Sequence, residues 1–300
     1  MAAVALLVKV FNSMNENEKE LQAFLLSVKA ALDVADMTTA DKLLSEDALT
    51  LHEHPYTYLY KCIIDRHFER DASRVLAAAE QGLRLSPTFA DLIDFKFVSL
   101  LALGDYARAA EAGLMLCTSQ PYNYEAHFET ATALEKAGWG EEAPRTKARG
   151  HYALAQAELA RGNKESALEQ LTQAIATDGS HARAKIKRAQ LLIALGHKQD
   201  AALSLTPLVD DPTLAIDALT LLCQLAEGDN DIDRVSQFSD ELLAIDESHS
   251  YALRVKVRLA RTVGEADAVF SALANALTQH DDDVWCNLLQ CSYSRELSRK

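Results

Sequence analysis

The chain has 300 residues, 30 of them Lys or Arg and 44 Asp or Glu, so its formal charge is -14 and its pI lies near 5.1. A balance this acidic argues against a nucleic-acid partner, which needs a basic face to displace counterions from phosphates. No apolar run approaches the ~18 residues of a membrane span, and residues 2–8 lack the basic flank and cleavage pattern of an ordinary secretion signal.

Five scattered cysteines, Cys62, Cys117, Cys223, Cys286 and Cys291, suit a reducing, cytoplasmic setting. Glycine and proline are few, 11 and 6 residues, while leucine and alanine are abundant and β-branched runs rare. That is the composition of an all-helical chain, and no sheet is expected.

In chain order, residues 2–11 make a short apolar segment before a polar break at 12–17, read either as a cap over the first helix pair or as a docking element. Helices then come in pairs: 21–34 with 39–51, 56–68 with 72–85, and 90–103 with 106–117. Pro55, Pro87 and Pro121 close the longer connections, Asp71 offers a cap, and Gly104-Asp105 makes a tight turn.

Residues 124–137 form a good first helix, but after Gly138-Trp139-Gly140 only 141–147 remain before the next first helix must begin. Either the second helix shrinks to about two turns, or one long helix over 144–161 serves both neighbours, with Pro144 in a first turn where proline is tolerated. Trp139 is the side chain expected to fill the void. A second series runs 163–177, 181–195, 198–209, 214–226, 231–245, 251–263 and 265–277. A closing helix spans 284–297, with Trp285, Leu288, Leu289 and Tyr293 inward and Arg295, Glu296, Arg299 and Lys300 at its end. The organisation expected is 1–17 cap or docking segment, 18–137 first series, 138–150 irregular junction, 151–282 second series, and 283–300 terminal cap.

The two series share one interval. Gly162 returns as Gly196, 34 residues on, and Ala167 returns as Ala201. From each alanine the residues four and seven further on are again small or apolar, Leu171 and Ala174, then Leu205 and Leu208, which is one face of a helix. The column continues through Val235 and Val269, and a companion column runs Ala174, Leu208, Leu242, Ala276. Upstream, Val75, Ala109 and Ala143 keep the same spacing, whereas Ala143 and Ala167 are ten residues too close.

A 34-residue unit of helix, glycine turn and helix resembles the tetratricopeptide-repeat (TPR) family, from about residue 18 to the end. The resemblance implies an all-α solenoid of stacked antiparallel helix pairs, a right-handed superhelix here irregular near 138–150. It implies a concave groove that binds a peptide or partner protein, and no cofactor.

If first helices line that groove, residues repeating every 34 form rows along it. Gln156, Gln190 and Gln224 make one row, with Arg258 at the next step. Seven residues before each stand Arg149, Arg183, Asp217 and Tyr251; four before stand Tyr152, Ile186, Thr220 and Arg254. Amide side chains both donate and accept, so a row of them can hold an extended main chain of any sequence. Arg149, Arg183, Arg254 and Arg258 make the strip locally basic and favour an acidic, extended partner segment. The family's carboxylate clamp of lysine, asparagine and arginine is not kept, since Tyr152, Gln156 and Leu221 occupy those places.

His52 and His54 flank Glu53, but residues two apart do not share a helical face and no second ligand cluster is nearby in sequence, so a metal site is not expected. No phosphate-binding loop, nucleophile elbow or zinc-protease motif occurs. The acids Asp229, Asp231, Asp233 and those at 281–283 fall in turns, where acids cap helices. Two function classes remain: a non-catalytic scaffold or adaptor, and the substrate-selecting repeat region of a larger enzyme, for example a glycosyltransferase.

Overall fold

The computed structural model describes residues 15–263, 266–280 and 282–297, apart from the side chains of 266 and 292–297. The apolar segment 2–11, Glu265, Asp281, Arg299 and Lys300 lie outside the described residues, as do the side chains of Tyr293, Arg295 and Glu296. The chain divides into two compact units, Met1–Ala157 and Glu158–Lys300. Among the described residues there is no strand, and no helix long and apolar enough to cross a membrane.

In the first unit, α1 (Glu16–Asp33) opens on a reciprocal cap: the Asn15 side chain accepts from the Glu18 N–H and the Glu18 carboxylate accepts from the Asn15 N–H, each at 2.8 Å. The helix expected over 39–51 is two, α2 (Met37–Leu43) and α3 (Glu46–Leu51), because Ser45 starts a new helix by accepting from the Ala48 N–H. Next come α4 (Pro55–His67), α5 (Ala72–Leu85), α6 (Ala90–Leu103), α7 (Tyr106–Ser119) and α8 (Tyr124–Lys136). α5 and α7 stop just before Pro87 and Pro121, as the sequence predicts. The column residues Val75, Ala109 and Ala143 are all buried.

A charged clamp ties the early helices. Asp65, 1 % exposed, accepts from Arg70 at 2.5 Å and pairs with Lys61 at 3.0 Å, while Arg70 also bonds Asp41 at 2.5 Å. Arg70 comes directly after Glu69, whose φ of 49° is one that non-glycine residues seldom adopt. The clamp holds a turn for which the next two repeats use Gly104 and Gly138.

At the junction the chain takes the second course open to it. One helix, α9 (Glu142–Arg161), carries 20 residues, and the boundary between the units falls within it. Trp139 is 39 % exposed and does not fill a void. Its carbonyl instead accepts the N–H groups of Glu142 and Ala143, each at 3.3 Å, and so starts α9. Close approach replaces bulk here: a Cβ on Gly150 of α9 would lie 3.0 Å from the Phe128 ring and 3.1 Å from the His127 Cβ.

The second unit continues with α10 (Lys164–Thr177), α11 (Ala182–Ala194), α12 (Lys198–Leu205), α13 (Ala215–Gly228), α14 (Ile232–Ile245), α15 (Ser250–Val263), α16 (Ala266–Gln279) and α17 (Val284–Leu297). α12 is shorter than the 198–209 expected, since Pro207 removes a donor and the chain tightens into a 3-10 turn over Thr206–Leu208. Ala167, Ala201, Val235 and Val269 are buried, as are Ala174, Leu208, Leu242 and Ala276, so both columns form the seams between helices. Gly196 turns the chain at φ 83°, and one period later Asn230 takes the same left-handed conformation at φ 55°. On α17 the inward residue is Cys286, while Leu288, expected inside, is 66 % exposed; Trp285 and Leu289 pack partly against the core.

Candidate partner-binding face of the first helices

The predicted site residues all sit on first helices, three on α9 and the rest on α11, α13 and α15. The row divides: Arg149, Tyr152 and Gln156 belong to the first unit, and Arg183, Gln190, Gln224, Arg254 and Arg258 to the second. On α11, Arg183, Lys187 and Gln190 stand at i, i+4 and i+7 along one side, Arg183 and Gln190 exposed and Lys187 partly so. α11 packs directly on α13, where Gln224 is exposed at the equivalent place. These two amides are therefore neighbours in register.

Two predicted members do not present themselves. Ile186 is 8 % exposed and lies in the core with Ala189, Leu192, Ala201 and Leu205, because one residue of phase rotates it ~100° from Lys187 toward the packed side. Thr220 is half-buried, and its hydroxyl donates to the Ile216 carbonyl at 2.7 Å, within its own helix. On α9, Tyr152 and Gln156 are half-buried while Arg149 is exposed.

The electrostatics also differ from the expected strip. Three of its four arginines meet acids: Arg149 pairs with Glu142 at 3.5 Å, Arg254 with Asp283 at 2.7 Å, and Arg258 with Glu227. Burial works to raise the Asp283 carboxyl, but hydrogen bonds from the Arg254 guanidinium and the Cys286 N–H outweigh it and hold the group below the usual range. Arg183 alone keeps its charge unopposed. It is joined on α11 by Lys185, Lys187 and Arg188, and among the described residues none of the four makes an ion pair; the Arg188 Nε donates to the Thr172 hydroxyl at 3.2 Å. Lys185, Lys187 and Arg188 escape a reading by 34-residue steps. Their signal is crowding on one helix that carries no acid.

Two first helices of the first unit, α6 and α8, have the opposite sign, which periodicity in the sequence did not bring out. Asp91 and Glu125 stand one period apart on α6 and α8, with Asp94 and Glu129 beside them, and among the described residues none of these acids makes an ion pair. Burial pushes the Asp94 and Glu129 carboxyls up; Asp91 adds repulsion to the first, and Asp94 and Glu125 to the second. Arg66 eases Asp94 while lying 5.7 Å over the Phe95 ring.

The remaining candidates are structural. His54 caps α4 by accepting from the Tyr56 N–H at 3.3 Å, and His52 stacks on Phe24 at 4.2 Å. Among the described residues no group of three His, Cys, Asp or Glu is arranged to hold a metal. Asp231 caps α14 by accepting from the Arg234 N–H, and Asp229 pairs with Lys198. Four cysteines are buried and Cys291 is exposed; burial pushes the Cys62 thiol up to about 12, far from a reactive thiolate.

Each unit thus has the architecture of a tetratricopeptide-repeat solenoid: antiparallel helix pairs sealed by small residues and joined by left-handed turns, at Ala35, Glu69, Gly104 and Gly138 in the first unit and at Gly162, Gly196 and Asn230 in the second. Comparison with protein-family models and with curated proteins gives no match. Similar solved structures include a tetratricopeptide repeat protein from Parabacteroides merdae, at 13% identity over 79% of this chain and 97% of that one, TM-score 0.36. Two others are the APC/C hetero-tetramer Cut9-Hcn1, at 13% identity over 95% of this chain and 58% of that one, TM-score 0.41, and YrrB, described as a TPR protein with an unusual peptide-binding site, at 14% identity over 67% and 90%, TM-score 0.31.

Proposed function

We propose that the protein is a non-catalytic, cytoplasmic scaffold whose second unit holds an acidic, extended segment of a partner protein against α11 and α13. The observation that carries this reading is the set of cations on α11 that make no ion pair among the described residues, beside exposed Gln190 and Gln224, in a chain of net charge -14. Surface cations left unmatched in an acidic protein attract anionic ligands over a Debye length, ~8–10 Å at ordinary salt. The two amides then bond the main chain and the arginine selects the charge. The same face would serve if the chain were the substrate-selecting region of a larger enzyme.

Pull-down with mass spectrometry from the source organism identifies the partner, and fluorescence anisotropy with a labelled oligoglutamate peptide tests the face. Arg183→Glu weakens binding and flattens its salt dependence. Gln190→Ala weakens it by about 0.5–1.5 kcal/mol, the worth of a neutral hydrogen bond. Binding of both variants at parental strength would remove this face from consideration.

A further inference from the structure

One carboxylate on this face stands where a partner's should. Arg258 occupies the row position one period after Gln224, and Tyr251 the position seven residues before it. Both are held by Glu227 of α13, one turn beyond Gln224: its Oε1 bonds the Arg258 guanidinium and its Oε2 accepts the Tyr251 hydroxyl at 2.9 Å. We propose, resting on the reading above, that Glu227 is a built-in occupant of the last step of this face, so that the partner segment is read along α11 and α13 and stopped after Gln224.

The placement of Glu227 is not explained by the needs of its own helix. It lies in the last turn of α13, where an acid faces the negative end of the helix dipole and is disfavoured. It also caps no backbone N–H. Asp283, which neutralises Arg254, is different in kind: its Oδ2 takes the arginine while its Oδ1 accepts the Cys286 N–H that starts α17, and the group is nearly buried. Removing Asp283 unmakes architecture.

Glu227 and Arg258 have side chains 31% and 42% exposed, so their pair is open to water and to exchange of one carboxylate for another. An incoming acid gains little at Arg258 while Glu227 stays, because one guanidinium contact is made as another is broken. The internal carboxylate therefore sets the length of acidic segment the face rewards.

The test is anisotropy titration of the full chain with a labelled oligoglutamate peptide at two salt concentrations. Glu227→Gln keeps the side-chain shape and an acceptor for Tyr251 but frees the Arg258 charge. It binds the peptide about three- to tenfold more tightly than the parent, with a steeper salt dependence. Asp240→Asn removes the same charge beside Lys256, with which Asp240 pairs at 2.6 Å, and controls for net charge alone. Arg258→Gln combined with Glu227→Gln cancels the gain, because the charge that Glu227→Gln frees is then absent.

A Glu227→Gln variant no tighter than Asp240→Asn overturns the inference, and so does a gain that survives when Arg258→Gln is added to Glu227→Gln. If Arg183→Glu weakens binding but Glu227→Gln does not tighten it, this inference alone falls. If neither the parent nor Glu227→Gln binds the peptide, it falls together with the reading of the face. Should Glu227→Gln unfold, Glu227→Ala, which also frees the Arg258 charge, decides by the same comparison with Asp240→Asn.

Discussion

α11 and α15 are two periods apart and read almost alike: each carries four cations, Arg183, Lys185, Lys187 and Arg188 in one and Arg254, Lys256, Arg258 and Arg261 in the other, and neither carries an acid. Their surroundings separate them. Around α15, Asp283, Asp240 and Glu227 come from three neighbouring segments to meet Arg254, Lys256 and Arg258. Around α11, among the described residues, no cation makes an ion pair, and only Lys185 feels an acid, Asp211, at longer range. A cation's chemistry thus depends on what the next helix brings to it: on α15 the charges stitch helices together, and on α11 they remain available to a ligand.

The largest blow to this contrast is struck at Asp283. Asp283→Ala removes the partner of Arg254 and the cap of α17 together and costs about 2–3 kcal/mol, the sum of a lost cap and a charge-assisted bond, read by urea unfolding. Because the folded-state carboxyl lies below its ordinary range, its contribution is present above the unfolded value near 4 and is lost as pH falls through the folded value. The parent therefore loses stability more steeply than Asp283→Asn as the pH falls below about 4. Equal acid-side slopes would mean that the α15 pairing contributes nothing.

A second variant probes the packed side of α11. Ala201→Phe overfills the seam under Ala189 and Leu192 and costs about 1–3 kcal/mol, whereas Gln199→Phe, at an exposed position of α12, stays within about 0.5 kcal/mol. Similar costs at the two sites would show that α11 is not anchored as described.

The sharpest test is charge reversal on each helix. Arg258→Glu sets an acid against Glu227 and destabilises by about 1 kcal/mol, while Arg183→Glu, with no acid to lose, changes stability by less than about 0.5 kcal/mol. Smallest of all is Lys187→Glu, which leaves the melting temperature unmoved and shows itself only in weaker oligoglutamate binding. An Arg183→Glu variant as destabilised as Arg258→Glu would reveal an acid partner on α11 and erase the difference between the helices.

Much of the architecture was legible in the residues because the information is local and repeated. Alanine or valine every 34 residues marks where two helices touch, proline marks where a helix cannot continue, and glycine marks a left-handed turn. Ala167, Ala201, Val235 and Val269 are accordingly buried where the period places them. Periodicity failed where a local rule had a competitor. Ser45 and Pro207 broke helices that periodicity alone would have continued. Near Trp139, the close approach of α9 through Gly150 made an aromatic filler unnecessary.

The candidate face was legible only in part. The exposed amides Gln190 and Gln224 come from periodicity, since a 34-residue step returns to the same side of a stacked helix. Ile186 does not, since one residue of phase on α11 separates a solvent position from the core. Nor could the sequence assign charges to partners. Glu227 and Arg258 are 31 residues apart, Arg254 and Asp283 29 apart, and nothing in the order of residues says that these acids reach their arginines while no acid reaches Arg183. By itself the sequence determined the helices, their seams and their turns, because those depend on neighbours within one repeat. Which cations are neutralised and which stay open was decided only by the tertiary structure, because Coulomb attraction acts through space, between side chains that the stacking of different repeats brings together.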